Sequence, residues 1–156
     1  MVKVLFICHG NICRSPMAEF CLKELVKTHN VEDRFEIASA ATSQEEIGNG
    51  VYPPVKRLLN SKGIDCSDKR ARQINRNWND IEYYDYIIVM EDFNLRNLLY
   101  LLPDTDQTKL YKLLDFTAKK GGDIDDPWYT GEFERSYSEI EYGCKGFLNT
   151  VLKELS

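Results

Sequence analysis

From Val2 to Cys8 the chain is apolar at every position but Lys3, the pattern of a strand buried on both faces of a parallel sheet. A loop over His9 to Arg14 follows. Ser15-Pro16 then opens a segment in which Met17, Phe20, Cys21, Leu22, Leu25 and Val26 recur at helical spacing. Proline suits a first helical turn, so a helix is predicted to about Thr28. Arg34 to Ala40 alternates as a second strand, and Pro53 to Leu59 reads as a proline-started helix ending near Gly63. Tyr84 to Met90, rich in β-branched and aromatic residues, predicts a third strand, and a helix around Asn94 to Leu101 is stopped by Pro103. Lys109 to Leu114 is a weaker fourth strand. A turn-rich stretch from Lys119 to Gly131 leads to a last amphipathic helix, with Phe133, Tyr137, Ile140, Cys144, Phe147, Leu148, Val151 and Leu155 on one face.

Strands alternating with helices predict an α/β fold, a doubly wound parallel sheet flanked by helices in a single domain over residues 1–156. Ligands in such folds bind beyond the carboxyl ends of the strands, at a switch point. The loop after the first strand is therefore where chemistry is expected.

Composition narrows the class. With 43% hydrophobic and 29% charged residues in 156, the chain can build a real core and is neither disordered nor fibrous. The balance of 20 Lys+Arg against 25 Asp+Glu leaves a net charge of -5, so no general attraction to nucleic acid or an anionic membrane is expected. The apolar start is too short to span a bilayer and no small-residue cleavage site follows it, which predicts a cytoplasmic protein without membrane insertion. Five cysteines, Cys8, Cys13, Cys21, Cys66 and Cys144, form an odd set without CxxC pairs. Reduced thiols are expected, with no disulfide framework and no zinc site.

Cys8-His9-Gly10-Asn11-Ile12-Cys13-Arg14-Ser15 places a cysteine and an arginine on either side of five residues, between a buried strand and a helix start. Spacing alone decides little, because Cys66 to Arg72 has it too, without a preceding strand or a glycine. Gly10 and Asn11 are the residue types most tolerant of left-handed backbone, and a loop curled through them aims its N–H groups inward. Those amides over His9 to Arg14, the positive end of the following helix and the guanidinium of Arg14 together suit a tetrahedral dianion. The same field favours the ionised form of Cys8, and Ser15 can donate to it. A thiolate beneath a phosphoryl group is a nucleophile. Expelling a phenol also needs a positioned acid, for which the residues offer Asp123, Asp125 and Asp126; Pro127 stiffens only the last.

Cys8 to Arg14 followed by Ser15-Pro16-Met17-Ala18-Glu19 resembles the low-molecular-weight protein tyrosine phosphatases. So do Ser39-Ala40-Ala41-Thr42-Ser43, Ile47-Gly48-Asn49, Ala71-Arg72-Gln73-Ile74, Asp85 to Met90 and Asp126-Pro127-Trp128-Tyr129. The resemblance implies a four-stranded parallel sheet, no metal and no cofactor, and a phosphocysteine intermediate on Cys8. It also implies that Asp126 is the acid for the leaving phenol, and that Asn11 and Ser39 brace the loop. Substrates would be phosphotyrosine proteins or peptides and small aryl phosphates, with inorganic phosphate as product; a monomer is expected.

By the same resemblance Trp128 and Tyr129 wall a cleft deep enough for phosphotyrosine, and Gln44 and Glu45 form the opposite wall. There the chain departs from the commoner aromatic-bearing versions: Glu45 would repel acidic residues flanking a phosphotyrosine, and His9 puts a titratable donor at the rim. The resemblance also implies that Cys13 captures oxidised Cys8 as a reversible disulfide; a plain packing role for Cys13 is an equal reading of the residue. Cys21 and Cys144 read as core, and His29 as a solvated helix end. A protein arginine phosphatase is the nearest alternative, but such enzymes carry Thr at Ile12 and lack the aromatic pair. Arsenate reductases need two late neighbouring cysteines. A binding module would need neither Cys8 nor Asp126.

Overall fold

The computed structural model describes residues 1–76 and 79–155. Four parallel strands, β1 (Val2–Cys8), β2 (Phe35–Ala41), β3 (Tyr86–Val89) and β4 (Leu110–Lys112), form one sheet in the order β2-β1-β3-β4. The helices are α1 (Arg14–Thr28), α2 (Pro53–Ser61), α3 (Asp80–Tyr83), α4 (Asp92–Leu101), α5 (Pro127–Thr130) and α6 (Phe133–Leu155).

The alternation along β1 explains the layering. Val4, Phe6 and Cys8 point into a core with residues of α1, α2 and α6, whereas Leu5 and Ile7 meet Leu98 of α4 on the other face. A strand covered on both sides must be apolar throughout, and burying each such side chain contributes about 1.5–3 kcal/mol.

Several boundaries differ from the sequence pattern, each for a local reason. Strand β3 is shorter than Tyr84 to Met90: Tyr84 closes α3, and the Met90 N–H turns to Asn94 Oδ1 at 3.1 Å. Strand β4 stops at Lys112 because the Lys112 N–H donates to Asp115 Oδ2 at 2.9 Å, curling Leu113–Phe116 into a 3-10 turn. The turn-rich stretch before the last helix contains a short helix that the pattern did not predict, α5, started by the Asp126 side chain, which accepts from Trp128 N at 3.0 Å with Pro127 in the first turn. Helix α3 was likewise absent from the sequence pattern, since four residues carry no periodicity.

Helix α6 approaches the 3-10 turn too closely for side chains. A Cβ at Gly146 would lie 2.3 Å from Phe116 O, and one at Gly143 2.4 Å from Leu113 Cγ. Two glycines in a long helix, each costing about 0.5–1 kcal/mol relative to alanine, are the condition of that contact.

Candidate active site

Cys8 ends β1, beside β2 on one side and β3 on the other. The chain passes from β1 to β2 on one side and then crosses to β3 on the other, so the crevice of the doubly wound sheet opens at the carboxyl end of β1. Thr42 N donates to Cys8 O at 3.0 Å and Ser43 N to His9 O at 3.0 Å, which ties the loop leaving β1 to the one leaving β2. Of the two residues expected to take left-handed backbone, Asn11 does so, with φ 59°, and Gly10 is absent from the positive-φ residues described.

Hydrogen bonds hold the curl. Asn11 N donates to Cys8 Sγ at 3.3 Å, and Ser15 Oγ lies 3.0 Å from the same sulfur. The Asn11 amide donates to Ser15 Oγ at 2.8 Å and Ser39 Oγ at 2.9 Å, and its Oδ1 accepts from Arg72 N at 3.1 Å. Ser39 in turn donates to Glu19, a buried carboxylate paired with Lys23 at 2.6 Å and Lys69 at 3.5 Å. Burial lowers the pKa of Lys69, against the pull of Glu19. The sulfur is thus linked by side chains to the middle of α1.

Arg14, the first residue of α1, has a side chain only 2% exposed. It pairs with Glu91, donates to Ile124 O at 2.8 Å and reaches Asp126 Oδ2 at 3.4 Å. Burial opposes its charge, but Cys8, Asp126 and Glu91 outweigh that and hold its pKa above the ordinary arginine value. The Cys13 thiol is pushed up by burial first, and further by Cys8 and Asp126.

These groups face one cavity, lined by Cys8, His9, Gly10, Ile12, Cys13, Arg14, Glu45, Glu46, Asp126, Trp128 and Tyr129. One wall is aromatic: Trp128 is 49% and Tyr129 82% exposed, and the Tyr52 ring backs Trp128 at 4.7 Å. The facing wall is charged, with Glu45 Oε2 at 3.3 Å from His9 Nε2. Asn11, Ser15 and Ser39 stand behind the loop, nearly or fully buried. Gln44 lies outside the lining. In the turn of residues 44–47 Glu46 takes that place, its Cγ 3.5 Å from where a Gly10 Cβ would stand.

Of the three aspartates, Asp126 alone lines the cavity with Cys8. Asp123 accepts from Lys112 Nζ at 2.9 Å and from Asp92 N at 3.1 Å, and Asp125 is exposed beside the cavity. The second Cys-x5-Arg match makes no such site: burial raises the Cys66 thiol, and Arg72 forms two bonds to Asp80 at 2.9 and 3.1 Å. Cys21 and Cys144 are core, and His29 caps the exposed end of α1. Sequence reasoning missed Glu91, Glu46 and Tyr52. Glu91 had a readable signal: it directly follows the third strand, on the crevice side of the sheet.

Among the described residues no group of His, Cys, Asp and Glu side chains could hold a metal, and no helix is long and apolar enough to cross a membrane.

A cysteine under an anion cradle, with an arginine and a carboxyl group at the same floor, defines a cysteine-dependent phosphatase on a doubly wound sheet. The model for "Low molecular weight phosphotyrosine protein phosphatase" matches residues 3–156. The chain belongs to that family. It is 34% identical over 155 residues to the low molecular weight protein-tyrosine-phosphatase YfkJ of Bacillus subtilis, covering 99% of this chain and 98% of that protein. PtpA of Staphylococcus aureus is 30% identical over 154 residues, covering 99% of this chain and 96% of its own. The crystal structure of YfkJ superposes with a TM-score of 0.93 over 100% of this chain and 98% of its own. A Drosophila arginine phosphatase, 30% identical, superposes with a TM-score of 0.84 over 96% of this chain and 98% of its own.

Proposed function

We propose that this enzyme hydrolyses phosphotyrosine in proteins and peptides, and small aryl phosphates, through a phosphocysteine on Cys8. The observation that carries the reading is the convergence of Cys8, Arg14 and Asp126 on one cavity with an aromatic wall.

The loop amides and Arg14 hold the three non-bridging phosphoryl oxygens. The Cys8 thiolate, supported by Asn11 N and Ser15 Oγ, attacks phosphorus in line. The S–P bond forms as the bond to the phenolic oxygen breaks, and Asp126 gives that oxygen its proton. Asp126, now a carboxylate, takes a proton from a water whose oxygen attacks phosphorus. The S–P bond breaks, the thiolate is restored and inorganic phosphate leaves.

The Trp128 and Tyr129 rings favour aryl over alkyl phosphates by about 0.5–1.5 kcal/mol from ring packing, and phosphoserine leaves that wall unfilled. We place the activity in one domain over residues 1–156, acting as a monomer in the cytoplasm, where its thiols stay reduced.

Purified protein and Cys8→Ser should be compared on phosphotyrosine, phosphoserine and phosphoarginine peptides. Phosphotyrosine should be preferred, and Cys8→Ser should bind phosphate without turnover. Faster release from phosphoarginine would transfer the site to the arginine phosphatases; substantial turnover by Cys8→Ser would remove Cys8 from the mechanism.

A further inference from the structure

The phosphate cavity has a neighbour. A second hollow shares Arg14, Asp126 and Tyr129 with it and extends to Glu91, Phe93 and Asp125, with His9 bordering both. His9 is one of the four shared residues, 3.3 Å from Glu45 on one side and tilted against the Phe93 ring, at 6.1 Å between centroids, on the other. Nothing in the proposed chemistry uses Phe93 or Asp125.

We propose that this second hollow binds a cationic side chain, Arg or Lys, adjoining the phosphotyrosine of the substrate. The inference rests on the phosphotyrosine reading and adds to it the class of peptide preferred.

Three observations lead there. The first is charge. Glu91, Asp125 and Asp126 bring three carboxyl groups to a hollow whose one guanidinium, Arg14, is buried. Once a phosphoryl dianion occupies the cradle, with Arg14 shared between it and Glu91 and Asp126 holding the proton for the leaving oxygen, Asp125 remains as a free carboxylate in the hollow. Asp125 is exposed, and across the phosphate cavity Glu45 has a side chain 73% exposed, so both rims carry negative charge.

The second is surface. Phe93 is 45% exposed and Tyr129 82%, so two ring faces flank the carboxylates. A guanidinium or ammonium gains from both kinds of neighbour, whereas a carboxylate side chain gains from neither.

The third is reach. The two hollows share His9, Arg14, Asp126 and Tyr129, and consecutive Cα atoms lie only about 3.8 Å apart, so the residue beside a phosphotyrosine seated over Cys8 lies at the border of the second hollow.

The test uses phosphotyrosine peptides identical except for Arg, Ala or Glu beside the phosphotyrosine, with p-nitrophenyl phosphate as a substrate that has no flank. Exposed ion pairs and cation–π contacts together support a kcat/KM about tenfold higher for the Arg peptide than for the Glu peptide at low salt, narrowing as salt rises. Asp125→Asn and Phe93→Ala should each cut that ratio to about threefold, leaving p-nitrophenyl phosphate turnover unchanged, which also reports that each variant is folded. Equal rates on the Arg and Glu peptides with the unaltered protein, or a ratio that neither variant moves, would overturn the subsite while leaving the phosphatase reading intact. Inactivity of the unaltered protein on every phosphotyrosine substrate and on p-nitrophenyl phosphate would remove both.

Discussion

Replacing Asn11 by alanine should unfold the protein more readily than any loss of buried surface would account for. The side chain makes three hydrogen bonds, to Ser15 Oγ, to Ser39 Oγ and from Arg72 N, and is 1% exposed. At about 1 kcal/mol for each buried bond lost, the three amount to about 3 kcal/mol. Asn11 also sits at φ 59°, where alanine adds about 1 kcal/mol of backbone strain. The expected loss is about 4 kcal/mol, a fall in Tm of about 12 °C for a domain of this size. Asn11→Gly relieves the strain but not the lost bonds, so it should stand about 1 kcal/mol above alanine. Denaturant titration gives both values, and p-nitrophenyl phosphate turnover follows the loop, whose Asn11 N–H bonds the sulfur. A loss below about 1 kcal/mol for alanine, or glycine no better than alanine, would mean that this network does not hold the cradle in shape.

Two further outcomes concern the frame. Gly146→Ala should lower the denaturant midpoint, because its Cβ would meet Phe116 O at 2.3 Å and overpacking of about 1–3 kcal/mol exceeds the helical gain; a stabilised variant would contradict the contact between α6 and the turn. Tyr86 is pushed up to about 12, by burial first and then by the hydrogen bond it donates to Glu154. Its neutral form is favoured by folding, so its contribution is whole below its unfolded value and is lost as pH rises through about 12. The stability difference between the protein and Tyr86→Phe should shrink over that interval, and a difference that stays constant would sink the assignment.

What could be read in advance was local. The apolar run of β1, the Gly10-Asn11 bend and the proline in the first turn of α1 lie within fifteen residues, and neighbouring side chains decide their structure. Asp126 could be chosen only by resemblance, because three aspartates share one loop and only folding separates them: Asp123 turns to Lys112, and Asp125 lies outside the phosphate cavity. Gln44 and Glu46 exchanged places for a related reason, since a turn sets which residue faces inward and the chain carries no periodicity there. Glu91, 77 residues from Arg14, enters through sheet order, which pattern alone does not supply. Helix α5 was legible in hindsight, Asp-Pro being a cap followed by a first-turn residue.

That long-range pairing bears on the proposed mechanism through charge. In the resting site one guanidinium faces two carboxyl groups, Glu91 and Asp126. A phosphoryl dianion brings further negative charge to the same floor, where Cys8 must also carry its own. Like charges packed this closely in a shielded site disfavour one another, so the proposed mechanism needs one of the two carboxyl groups to serve as the acid. Geometry favours Asp126 over Glu91 in that role. The Asp126 contact with Arg14, at 3.4 Å, is the weaker of the two, and Asp126 stands in the cavity while Glu91 stands in the neighbouring hollow. Glu91 pairs with the buried guanidinium, and in the proposed mechanism Asp126 carries the proton that the leaving oxygen needs. In the proposed mechanism the carboxylate that sequence pattern could not find thereby frees the one at the cavity to act as the acid.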